Sequence, residues 1–183
     1  LGAKTKAHQQ SVLRVIRQVR FDTGTNQEID LVLTVNGVPV ITMELKTDNT
    51  QTLGAGIAQY RTDRKPTKST PLLMPGRCLV HFVVSNQNVA MTTVLAGAET
   101  VFIPFDKGDH GHAGNAPSET GSPTDYLWRE VLTPGRLLRI LQSFAMRETD
   151  SRLVFPRYHQ LRAVEKITDD VRAQGAGGRY LVW

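Results

Sequence analysis

Disulfide bonds are the first thing this chain rules out. Its 183 residues include one cysteine, Cys78, so no internal bridge can form, which fits a reducing compartment and a cytoplasmic location. Long apolar runs are missing as well. No stretch approaches the ~20 apolar residues of a membrane-spanning helix, and no signal-peptide pattern opens the chain, so no membrane partner is expected. There is no internal repeat and no heptad pattern. A G-x-x-x-x-G-K-[ST] phosphate loop is absent, and no serine or histidine has nucleophile-elbow spacing. The glycine clusters Gly54-Ala-Gly56 and Gly175-Ala-Gly-Gly178 lack the strand–loop–helix setting of a dinucleotide site.

What is present is an ordinary globular balance, 40% hydrophobic and 21% charged, with a net charge of +5. The basic excess favours a polyanionic partner. Both ends read as cut, since there is no initiator methionine and the last four residues are an apolar, strand-like run.

The chain is organised around residues 29–46, two apolar runs joined at Asn36-Gly37, a strong hairpin signal. Charges interrupt them at Asp30, Glu44 and Lys46. A buried strand carries charges only when they are paired or bind something. Glu44 and Lys46 are two apart and share a strand face. Two carboxylates and an ammonium at one hairpin end can hold a divalent cation and a water, the chemistry of phosphodiester hydrolysis. A strict two-residue loop would set Val35 opposite Val38 and Glu44 opposite Ile29, turning Asp30 away. A three-residue loop or a bulge is therefore predicted, and Gly37 and Pro39 make it plausible.

Elsewhere, residues 11–21 admit a helix stripe or a strand with a basic face, valine and isoleucine favouring strand in the second half. Residues 53–63 read as a helix with Leu53, Ile57 and Tyr60 on one face, closed by Pro66. Arg61, Arg64, Lys65 and Lys68 follow at near-helical spacing, either a solvated helix end or a phosphate-contacting row. Strands are predicted over 78–85, 89–95 and 101–105. Residues 106–123 form a polar loop, whose His110 and His112 with Asp106 and Asp109 read as loop residues rather than a metal site. Cys78 and His81 read as sheet residues. A short helix over 125–132, a helix from Pro134 to about residue 147 with Thr133 as N-cap, and a last helix over about 157–173 complete the chain.

Several segments together resemble one family. Phe21-Asp-Thr-Gly-Thr-Asn-Gln-Glu-Ile-Asp-Leu-Val-Leu-Thr-Val-Asn-Gly-Val-Pro-Val-Ile-Thr-Met-Glu-Leu-Lys46 is similar to the nuclease domain of the restriction (motor) subunit of type I restriction enzymes. Ala58-Gln-Tyr-Arg-Thr-Asp-Arg64, Arg77-Cys-Leu-Val-His-Phe82, Met91-Thr-Thr93 and Phe102-Ile-Pro-Phe105 continue the likeness. Phe155-Pro-Arg-Tyr-His-Gln160 resembles the segment entering that subunit's helicase-like ATPase part.

The resemblance implies an α/β, restriction-endonuclease-like (PD-(D/E)XK) mixed sheet of four to six strands flanked by helices. An endonuclease-like domain would occupy residues 1–150, and 151–183 would begin a truncated ATPase domain. Asp30, Glu44 and Lys46 carry over as the catalytic set, with Mg²⁺ (or Mn²⁺) on Asp30, Glu44 and the Leu45 carbonyl. Tyr60 matches the tyrosine of a Gln-x-x-x-Tyr motif, although the glutamine position holds Gly56 and Gln59 stands adjacent. Arg157, Tyr158 and Gln160 correspond to an adenine-reading segment for ATP in the full-length subunit, while the missing phosphate loop predicts no ATP hydrolysis here. Double-stranded DNA is the implied substrate, with Arg14, Arg17, Arg61, Arg64 and Lys65 as candidate phosphate contacts. Methyltransferase and specificity subunits are the implied partners.

Overall fold

A computed structural model describes residues 11–47, 52–119, 121–147 and 153–181. Its centre is a mixed sheet of six strands in the order of the chain: β1 (Leu13–Arg20), β2 (Glu28–Val35), β3 (Val38–Leu45), β4 (Val80–Val84), β5 (Val89–Thr92) and β6 (Ile103–Pro104). All neighbours are antiparallel except β3 and β4. That parallel pair needs a crossover, and helix α1 (Leu53–Thr62) provides it, packing on one face of the sheet. Thr52 caps α1 by accepting the Ala55 N–H.

The other face carries the larger core. Phe82, Met91, Phe105 and Tyr126 meet Leu137 and Ile140 of α2 (Pro134–Ser143) and Leu161 of α3 (Tyr158–Gln174). Phe155 and Tyr158 join the same ring cluster, so the segment after residue 153 shares the sheet's core. Arg136 of α2 grips Glu165 of α3 with two bonds, 2.9 and 2.6 Å, and fixes that helix in place.

The sequence and the structure part in four places. Residues 127–131 form a single π-helical turn where a short helix is predicted. Helix α2 stops at Ser143, and Met146–Arg147 pairs with Leu153–Val154 as a small ribbon, β7 and β8. The predicted helix carried on through this ribbon because Ala145 and Met146 have no breaker signal of their own. Thr133 makes no side-chain cap, so Pro134 alone marks the start of α2. The apolar terminal run is not a strand at residues 180–181, and its last two residues lie outside those described.

The hairpin contains the predicted irregularity, in the form of a bulge. Asn36 (φ 52°) and Gly37 (φ 82°) are both left-handed, as a tight two-residue turn requires, and Val35 faces Val38. Past the Thr34–Pro39 pair the register shifts: Leu33 faces Ile41, and Leu31 faces Met43. Val40 is the extra residue. Pro39 has no N–H to give the ladder, and the Val40 carbonyl turns out to accept from Leu79 N–H at 2.9 Å. The shift of one residue flips the remainder of β3, which is what brings Glu44 to Asp30 instead of Ile29.

Candidate active site

Glu44 is the centre of the constellation. Thr42, Glu44 and Lys46 alternate onto the α1 face of β3, and α1 with its C-terminal extension roofs them. Only 1% of Glu44 is exposed. Its Oε1 accepts from Arg64 Nε at 2.7 Å and its Oε2 from Lys46 Nζ at 3.2 Å. Burial pushes the Glu44 carboxyl above its ordinary pKa; the Arg64 and Lys46 cations oppose this, and the nearby Asp30 charge adds to it.

Asp30 ends the β2–β3 ladder. Beyond the Leu31–Met43 pair its Oδ2 takes the Leu45 N–H at 2.7 Å, standing in for a backbone carbonyl. At the same level on the neighbouring strand, Gln18 has a left-handed φ of 51°. The chain kinks there, and Val19, Phe21 and Ile29 pass to the α1 side.

Arg64 is buried although it follows the helix. Besides Glu44 it donates from Nη2 to the Glu28 carbonyl at 3.0 Å, and its guanidinium lies 5.5 Å from the Phe21 ring centroid. Sequence reasoning saw Arg64 only as one cation of a basic row. No local signal marks its partner, which is 20 residues away in the chain.

Tyr60 is completely buried. Its hydroxyl lies 2.7 Å from Thr42 Oγ1, which lies 2.6 Å from His81 Nδ1. Tyr60, Thr42 and His81 thus form one buried hydrogen-bonded chain across α1, β3 and β4. Burial lowers the His81 pKa to about 3 and raises that of Tyr60. Sequence reasoning missed Thr42 and took His81 as a plain sheet residue. The signal was available: Thr42 is two residues before Glu44, on the same face.

Gly56 is where α1 comes nearest the sheet. A methyl group there would collide with Val83 Cγ1 and sit 3.1 Å from Lys46 Cε. A glutamine has no room at this position, which accounts for the departure noted in the sequence. Gln59 is half-buried, and its Oε1 has no hydrogen-bond partner among the described residues.

The remaining candidates are dispersed. Arg14 opposes Thr34 and lies on the Glu44 face, whereas Arg17 opposes Leu31 on the other face. Arg61 donates to the Thr100 carbonyl at 3.0 Å, and Lys65 is exposed. On the other face of the sheet, the Tyr158 hydroxyl donates to Glu130 at 3.1 Å. Gln160 accepts the Arg157 N–H at 3.0 Å, capping α3. Asp106 accepts from Val89 N–H and from the amides of Asn88 and Asn115, a structural role.

Hard oxygen donors at Asp30 and Glu44 suit a hard cation. Asp30 Oδ1 has no hydrogen bond among the described residues, so it has a lone pair to offer. Those residues contain no group of three or more His, Cys, Asp or Glu side chains able to hold a metal. A cation here would thus have two protein carboxylates and fill its other positions from a backbone carbonyl, water and substrate, a pattern suited to Mg²⁺.

The family model for the type I restriction enzyme R protein N terminus matches residues 4–100 of the chain, which include this whole constellation. No curated protein matches it.

Proposed function

Because this chain belongs to the type I restriction enzyme R protein N-terminus family, we propose that it is the DNA-cleaving part of such a subunit, a PD-(D/E)XK endonuclease with a restriction-endonuclease-like fold. One observation carries this reading. A register shift at Val40 draws Asp30 and Glu44 together beside Lys46, in a fold that would otherwise bury apolar residues there.

The residues divide the work as follows. Asp30, Glu44 and the Leu45 carbonyl would hold Mg²⁺, or Mn²⁺ in its place. When bound, the cation supplies Lewis acidity and positive charge at the scissile phosphate. Lys46, bonded to Glu44, would orient a water approaching that phosphate by donating from Nζ. Tyr60 acts through Thr42 and not on the substrate, holding β3 against α1. Double-stranded DNA is the substrate, cut without sequence preference, and target choice and methylation belong to separate specificity and methyltransferase subunits. Arg157, Tyr158 and Gln160 would contact ATP in the full-length subunit, where translocation by the motor precedes cutting.

Nicking of supercoiled plasmid in Mn²⁺ tests the proposal. Lys46→Ala and Asp30→Ala should each lose roughly a hundredfold or more in rate. Equal nicking by all three proteins would remove the assigned site. A second reading has its own support in the two cations that already satisfy Glu44: a DNA-binding or assembly module with a structural ion cluster. DNA binding that persists in EDTA, without cutting in either metal, would favour it.

A further inference from the structure

We propose that Arg64 is a resident counter-ion that competes with the divalent cation for Glu44. The cation gains full access to the carboxylate only by lifting the guanidinium off Oε1. This rests on the reading of Asp30 and Glu44 as a metal site. Glu44 pairs with both Lys46 and Arg64, and with the nearby Asp30 the two carboxylates and two cations balance before any metal arrives. A divalent ion added to that set meets two fixed positive charges in a buried place, where repulsion is poorly screened. Of the two cations, Arg64 holds Glu44 more closely, at 2.7 Å against 3.2 Å.

Arg64 is also the cation built to let go. Its Nη2 bond to the Glu28 carbonyl and its stacking on Phe21 do not involve Glu44. Losing Oε1 leaves both in place, so the guanidinium needs only to tilt and does not have to leave for solvent. Lys46 has no such second anchor among the described residues; its only hydrogen-bonded side-chain partner there is Glu44.

The test is Mn²⁺ binding to the 183-residue chain without DNA, counted by electron paramagnetic resonance at pH 8. Arg64→Met should bind Mn²⁺ roughly tenfold more tightly than the native chain, and Arg64→Lys, which keeps the charge, should stay near native. Unchanged or weaker binding by a folded Arg64→Met protein overturns the proposal. A measurement on the native chain removes dependence on the variant's folding. In protein labelled with ¹⁵N-arginine, the Arg64 Nε–H resonance should shift and exchange faster with water as Mg²⁺ is added. A resonance indifferent to saturating Mg²⁺ overturns the proposal equally. Asp30→Asn separates the two layers of the argument. If native Mn²⁺ binding survives that change, the metal-site reading falls and this inference with it. If binding needs Asp30 but ignores Arg64, only the inference falls.

Discussion

At the scale of single residues, the distinctive feature is how many polar groups are buried on the α1 face of β3. Thr42, Glu44, Lys46, Arg64 and His81 are all less than 9% exposed, and each has a partner. Buried polar groups of this kind cost several kcal/mol when one partner is removed. His81 makes the cost visible through pH. Burial holds its pKa at about 3, whereas an unfolded histidine titrates near ~6.5. Between those values the unfolded chain binds one more proton. Stability is therefore complete above about pH 6.5 and falls as the pH drops toward 3, by about 1.4 kcal/mol per pH unit from this group. Urea unfolding at pH 7 and pH 5 should show that slope shrinking in His81→Gln relative to the native chain. An identical slope in both would mean that His81 is not buried as a neutral ring.

At the scale of elements, the site depends on two close fits, the bulge in β3 and the approach of α1. The hairpin was legible in Asn36-Gly37, and the need for a bulge followed from parity: Asp30 and Glu44 could not otherwise meet. Its position was not legible. Pro39 breaks the ladder for want of an N–H, and the carbonyl of the bulged Val40 is taken up by Leu79, almost forty residues on. The fit of α1 was invisible in sequence, where Gly56 appeared only as a departure from the expected glutamine. Gly56→Ala should cost roughly 1–3 kcal/mol in urea unfolding, since Val83 is a stiff, buried neighbour. It should also displace Lys46 and slow nicking. A stable, fully active Gly56→Ala protein would show that α1 stands farther from the sheet.

At the scale of the whole molecule, the net charge of +5 pointed to a polyanion without saying which side would meet it. Strand register separates two of the candidate contacts. Arg14 shares the face of Glu44, and Arg17 points to the opposite face. A duplex lying over the proposed site would touch Arg14. Arg14→Ala should weaken DNA binding and reduce the slope of log affinity against log salt by about 0.9, while Arg17→Ala leaves both unchanged. Equal effects from the two would indicate diffuse attraction instead of a defined track. On the other face, the Arg136–Glu165 pair and the Phe155 and Tyr158 rings tie α3 to the sheet's core. Among the described residues no helix is long and apolar enough to cross a membrane.

Taken by itself, the sequence determined the secondary elements with strong periodicity, the hairpin turn, and three charged residues too costly to bury unpaired. Those are local matters, set by alternation along a strand and by the backbone freedom of Asn36 and Gly37. Tertiary structure alone decided that Glu44 would lie between Lys46 and Arg64, that Tyr60 would turn inward to Thr42 and His81, and that a glycine would stand where α1 crosses β4. Apart from the Glu44–Lys46 pair, two residues apart on one strand face, these are contacts between segments 18 to 39 residues apart. Packing chooses such partners from the shape of the assembled sheet and helix, and no spacing within one strand or one helix encodes that shape.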